Sequence, residues 1–198
     1  MRPNPEEFAT ALHNEAELLL ERSGLGAILR GYGKVHFTGS YALDLMAWRD
    51  IDVQLVLFEM WDPLDAFFAL GHQIAKLRGV FHMTFDNHLR RPAPHLSAGL
   101  YWGIRMIDPD TDAEWNIDVW AVDDAHAQQN DGLMQRIRAA LDDDARRRLL
   151  DFKHAFLTKD GRTLPFSSTP LYEAVLFEGL RDEPAIRAYL RQRGVEGI

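Results

Sequence analysis

An α+β fold, a mixed β-sheet with flanking helices and a C-terminal helical tail, is what this sequence predicts, on three observations. Apolar and polar residues alternate over Lys34–Phe37, Ile51–Phe58, Val80–Phe85, Leu96–Ile107 and Trp115–Val122, the period of half-buried strands. Helical spacing precedes the first of these runs and separates the second from the third. After Asp123 the strand signals stop and only helical patterns remain. A sheet core over residues 1–122 and a helical subdomain over 123–198 follow from that break.

The elements can be justified in order. Asn4 before Pro5-Glu6-Glu7 is a helix start: a capping side chain, proline at the first helical position and acids in the first turn. Phe8, Leu12, Ala16 and Leu19 continue at helical spacing, and Ser23-Gly24 closes the helix. A short helix over Leu25–Arg30 leads through Gly31-Tyr32-Gly33 into the first strand. Pro63–Leu77 carries Leu64, Phe67, Phe68, Leu70, Ile74 and Leu77 near one stripe. Arg90-Arg91-Pro92-Ala93-Pro94 reads as a loop, and Asp108-Pro109-Asp110-Thr111-Asp112 as the turn of a hairpin. In the tail, helices are expected over Leu133–Leu141, Ala145–Phe156, Leu171–Leu180 and Pro184–Arg193, with Ser168-Thr169-Pro170 capping the third.

Composition narrows the class. The chain has 198 residues, 46% hydrophobic and 26% charged, as in ordinary globular proteins. It has no cysteine, which excludes disulfides and thiolate metal sites. The first residues lack the apolar core of a signal peptide and no apolar run approaches membrane-spanning length, so a cytoplasmic protein with no membrane partner is expected. Net charge is −8; residues 1–122 hold 10 Lys/Arg against 17 Asp/Glu, and residues 123–198 hold 12 against 13. Gripping a long nucleic acid takes a basic surface, because affinity comes largely from displaced counterions. The balance therefore argues against nucleic acid as a partner and for a small-molecule or protein acceptor.

Chemistry concentrates in two stretches. Gly39-Ser40 follows the first strand, and after the nine residues Tyr41–Arg49 come Asp50-Ile51-Asp52-Val53. Residues two apart on a strand share a face, so Asp50 and Asp52 aim at one spot while Ile51, Val53, Leu55 and Leu57 take the other. Two such carboxylates repel unless a cation separates them, and oxygen-only ligands suit a hard ion such as Mg²⁺. In Trp115–Val122 the phase repeats, with Asp118 between Ile117 and Val119. If that strand lies beside Ile51–Phe58, Asp118 joins as a third ligand, and three acids can hold two Mg²⁺ ions for an in-line phosphoryl substitution. Gly39 lets backbone approach a phosphate, and Ser40 adds an N–H and a hydroxyl.

With this spacing the chain resembles the nucleotidyltransferase superfamily related to DNA polymerase β, over roughly residues 32–122. The resemblance implies a catalytic core in which Asp50, Asp52 and Asp118 are the catalytic and metal-binding residues and Gly39 and Ser40 hold the phosphates of an NTP such as ATP. It implies transfer of a nucleoside monophosphate to a hydroxyl, releasing pyrophosphate, with Asp118 aiding loss of the acceptor's proton. Where many relatives carry small residues and Arg-Gly after Gly-Ser, this chain has the apolar Leu45, Met46 and Trp48.

Arg105, Lys34 and Arg49 are candidates to neutralise phosphate charge, each read first as a salt-bridge partner; Arg105 is the best of them, since it shares the polar phase of its strand with Tyr101. Trp120 suits a stacked base or the core. His82, His88 and His95 lack further ligands at zinc spacing and read as surface histidines, and Arg148 with His154 is a weak ribonuclease-like pair. Tyr172, Glu173 and Glu178 lie on a tail helix that could wall an acceptor pocket. Two rival classes stand beside transfer: a non-catalytic nucleotide-binding regulator, and a toxin–antitoxin component acting on a partner protein.

Overall fold

A computed structural model describes residues 4–59, 62–91, 98–158 and 163–195. His95 and the Pro92-Ala93-Pro94 end of the expected loop lie outside them. The chain opens with α1 (Pro5–Arg22), where the Asn4 side chain accepts from the Glu6 N–H as the cap pattern predicts, and α2 (Leu25–Tyr32). Then come β1 (Gly33–Thr38), the single turn α3 (Gly39–Ala42), β2 (Asp50–Leu57), α4 (Pro63–Ile74), β3 (Val80–Asn87), β4 (Leu100–Ile107) and β5 (Glu114–Ala121). The tail contains α5 (Asp124–Ala140), α6 (Asp143–Phe156), α7 (Thr169–Tyr172), which continues as a π-helical turn over Glu173–Phe177, and α8 (Glu183–Gln192).

The five strands form one mixed sheet in the order β1-β2-β5-β4-β3, so the fold is α+β with helices flanking a mixed sheet. Only β2 and β5 run parallel; the other neighbours are antiparallel. β4 begins at Leu100, and the start expected at Leu96 lies outside the described residues. The helix expected over Leu133–Leu141 instead begins at Asp124, because the Asp123 side chain accepts from the His126 N–H and starts it early. The expected Ser168 cap is absent as a side-chain bond; Ser168 accepts from Leu171 and Tyr172 through its backbone carbonyl.

Two apolar clusters hold the fold. One lies between the sheet, α1, α2 and α4, and includes Leu12, Leu29, Ile51, Val53, Phe67, Trp115 and Ile117. The other joins α5 to α8 around Leu149, Leu150, Leu171 and Ile186, and takes in Leu43 and Leu45 from the segment after α3. Met46 of the same segment belongs to the first cluster. The apolar Tyr41–Arg49 stretch is thus core, joining the sheet to the tail. Each fully buried leucine is worth about 1.5–3 kcal/mol, enough to pin such a segment. Among the described residues no helix is long and apolar enough to cross a membrane.

Candidate active site

The acids meet because of strand register. In the parallel β2–β5 ladder Asp52 stands opposite Asp118 and Asp50 opposite Asn116. These side chains therefore share one face at one end of the two central strands. Ile51, Val53, Ile117 and Val119 are fully buried on the other face. β1 adds the turn: Thr38 pairs with Asp52, and the chain turns into α3 at Gly39. Gly39 has φ +63°, and a Cβ there would lie 2.1 Å from Asp52 Oδ2. Glycine is demanded both by the backbone and by the closeness of the carboxylate.

The acids lie between two cavities. One, of about 340 Å³, is lined by Gly39, Ser40, Asp50 and Asp52 on the sheet side and by tail residues including Ser168 and Tyr172 on the other. The second, of about 400 Å³, spreads over the sheet face beyond Asp118 and is lined by His82, Thr84, Tyr101 and Arg105. Trp48, Asp50 and Thr163 line both. Tyr172, a candidate for the acceptor wall, faces the Gly39–Ser40 cavity.

Arg105 is not brought to the Gly39–Ser40 turn. It lines the second cavity, its guanidinium paired with Glu114 and lying 5.3 Å from the centre of the Phe81 ring. Arg49 is bound to Glu15 at 2.9 Å, as its salt-bridge reading expects. Trp120 lies tilted against Tyr101, with ring centres 4.7 Å apart, and against His88 at 5.2 Å. Arg148 pairs with Asp144, and the His154 ring lies against Phe8.

Burial raises the proton affinity of all three acids, and repulsion adds to it at Asp50 and Asp52. For Asp50 burial is the larger cause and the charges of Asp52 and Asp118 the next; for Asp52 it is burial, then Asp118. Asp118 is raised by burial against the opposing hydrogen bond from Tyr101, whose hydroxyl donates to Oδ1 at 2.7 Å. The Trp48 side chain hydrogen-bonds to Asp50. Among the described residues no three His, Asp or Glu side chains are grouped to hold an ion as they stand. The donor set nevertheless fits one: three partly buried carboxylates that share a face are what a hard divalent cation relieves.

One cation is already nearby. Lys153 of α6 is fully buried, donates from Nζ to the Leu45 carbonyl at 2.6 Å and to the Tyr172 hydroxyl at 3.3 Å, and lies 4.8 Å from the centre of the Trp48 ring. Burial pulls its pKa down to about 7 against the opposing pull of Asp50 and Asp52. Two arginines join it on the same segment: Arg138 donates to the Ala42 carbonyl at 2.6 Å, and Arg146 pairs with Asp44 at 2.9 Å while donating to the Asp44 carbonyl. Sequence reasoning missed all three. Lys153 had left a signal, since it stands with Leu149, Leu150 and Phe156 on the buried stripe of α6, where a lysine needs a partner.

No family model matches the sequence, and no curated protein matches it. Solved structures do match. One is Cid1, described for its RNA terminal uridylyl transferase activity, at TM-score 0.55 and 15% identity over 91% of this chain and 56% of that one. Another is the GLD-2–GLD-3 poly(A) polymerase complex, at TM-score 0.52 and 15% identity over 97% of this chain and 64% of that one. The chain has the polymerase β-like nucleotidyltransferase fold and spans about three fifths of the length of these structures. They correct the argument from charge against nucleic acid, because structures carrying this fold are described as RNA terminal uridylyl transferase and poly(A) polymerase. The argument failed because net charge averages a whole surface, whereas adding to a strand's end requires holding only that end.

Proposed function

We propose that the chain is a Mg²⁺-dependent nucleotidyltransferase that moves a nucleoside monophosphate from an NTP to a hydroxyl and releases pyrophosphate. The observation that carries this reading is the convergence of Asp50, Asp52 and Asp118 on adjacent parallel strands, with Gly39 packed against the Asp52 carboxylate. Residues 1–122 serve as the catalytic core, and 123–198 as the helical subdomain that closes the nucleotide cavity. Asp50, Asp52 and Asp118 hold Mg²⁺, which when bound supplies charge neutralisation at the phosphates and at the acceptor oxygen. Gly39 and Ser40 receive the phosphates through backbone and hydroxyl. Lys153 balances the charge of the acid pair. Asp118, its basicity raised by burial, takes the acceptor's proton. Catalysis is then mainly orientation and electrostatics.

The acceptor hydroxyl enters from the Asp118 side. RNA 3′ ends belong among the acceptors to test, given what the fold neighbours are described as doing. A cytoplasmic setting, where NTP and Mg²⁺ are both present, suits the reading. Label transfer from each common NTP to RNA, protein and small-molecule acceptors tests it, with Asp50→Asn as control. Calorimetry showing no NTP binding, with or without Mg²⁺, would falsify it.

A further inference from the structure

The hydroxyl already bound to Asp118 belongs to the protein. Tyr101 Oη donates to Asp118 Oδ1 at 2.7 Å, the contact an acceptor must make to surrender its proton there. Three features of the sheet put it in place. Gly103 is the cross-strand partner of Asp118, and a Cβ on Gly103 would lie 2.5 Å from Tyr101 Oη and 2.8 Å from Thr84 Oγ1. The missing side chain is what clears the way from Tyr101 to Asp118. Trp120, the cross-strand partner of Tyr101, lies tilted against the phenol ring, with ring centres 4.7 Å apart. Tyr101 also lines the cavity it shares with Asp50 and Asp118, so its oxygen opens toward the acids rather than into the core.

We propose that the chain is its own acceptor: with an NTP held at Asp50 and Asp52, the Tyr101 hydroxyl attacks the α-phosphorus and keeps the nucleoside monophosphate. The Tyr101 Oη–Pα bond forms as the bond from Pα to the bridging oxygen breaks. That electron pair leaves with pyrophosphate, and the phenol proton passes to Asp118. The product is a tyrosyl phosphodiester. It fills the second cavity and stops at one nucleotide per chain, because the hydroxyl is then consumed. The inference rests on the transferase reading above, so NTP binding is measured on the same preparation.

In the test, the chain is incubated with Mg²⁺ and each common NTP labelled at the α-phosphate, then examined by intact mass and peptide mapping. The expected result is one added nucleoside monophosphate, on the peptide containing Tyr101. Tyr101→Phe removes it, and Asp118→Asn slows its appearance by at least about 100-fold. Mapping the adduct on the unmodified sequence does not depend on how any variant folds. An NTP that binds while the chain stays unlabelled overturns the inference and leaves the transferase reading standing. Label that persists in Tyr101→Phe also overturns it. Absence of NTP binding removes both readings together.

Discussion

On the Gly39–Ser40 side of the acids the decisive contacts join residues 96 to 108 positions apart, whereas on the Asp118 side they join neighbouring strands. Arg138, Arg146 and Lys153 hold the carbonyls of Ala42, Asp44 and Leu45, and so fix the segment between the phosphate turn and Asp50. Tyr101, Gly103, Arg105 and Asp118 are placed by the β4–β5 register. The nucleotide side therefore depends on the helical tail, and the acceptor side on the sheet. Two cavities that share Trp48, Asp50 and Thr163 should nevertheless respond differently when these supports are removed.

The largest effect should come where the sides meet. Asp52→Asn removes a ligand from the shared centre, and transfer to any acceptor should fall by about 10³-fold or more, read as kcat/KM with labelled NTP. A loss under tenfold would leave the acid trio without a central role. The two glycines then separate the sides. Gly39→Ala sets a Cβ against Asp52 at a positive φ and should weaken NTP binding by about 10–100-fold in calorimetry, since such strain costs about 1–3 kcal/mol. Gly103→Ala displaces the Tyr101 hydroxyl and should change acceptor KM or self-labelling with little effect on NTP affinity. Equal effects of the two on NTP binding would dissolve the distinction.

Lys153→Met tests the tail's hold on the nucleotide side. It removes the hydrogen bond to Leu45 and a cation that pulls on both Asp50 and Asp52, so NTP affinity should fall by about tenfold. Stability should fall as well, because the Leu45 carbonyl and the Tyr172 hydroxyl lose a buried partner. Tenfold weaker NTP binding in Gly103→Ala but not in Lys153→Met would invert the assignment.

The smallest effect is on metal-free stability. Asp50 and Asp52 bind protons more tightly folded than unfolded, so their contribution is full below about pH 4 and is lost as pH rises toward neutrality. Lys153 has the opposite shift, with its contribution full above the ordinary lysine range and lost as pH falls to about 7. Between about pH 4 and pH 7 the acids therefore set the slope. In chelator, thermal melts of Asp50→Asn should gain on the parent chain across that window, by a few °C at neutrality, and Mg²⁺ should close the gap. A gap that is constant with pH would mean Asp50 does not titrate there.

The sheet and the acids could be read because strand alternation is local. Ile117-Asp118-Val119 and Ile51-Asp52-Val53 carry their own phase, and a shared phase is what register later aligned. The Tyr41–Arg49 segment looked out of place beside a polar site for a related reason. Leu43, Leu45 and Met46 answer to two apolar clusters that no window of sequence contains. Lys153, Arg138 and Arg146 were missed because the carbonyls they satisfy lie in that same distant segment. Arg105 shared the right face yet lies in the second cavity, paired with Glu114, because its strand is on the far side of Asp118 from Gly39.

By itself the sequence determined the run of strands, the helical tail and the three carboxylates, because period and phase are properties of successive residues. Tertiary structure alone decided that β5 lies parallel beside β2, that Gly39 backs onto Asp52, that Lys153 is buried near the acids, and that Tyr101 is hydrogen-bonded to Asp118. Each of those depends on which distant segments exclude water together, and burial of that kind is settled only when the whole chain packs.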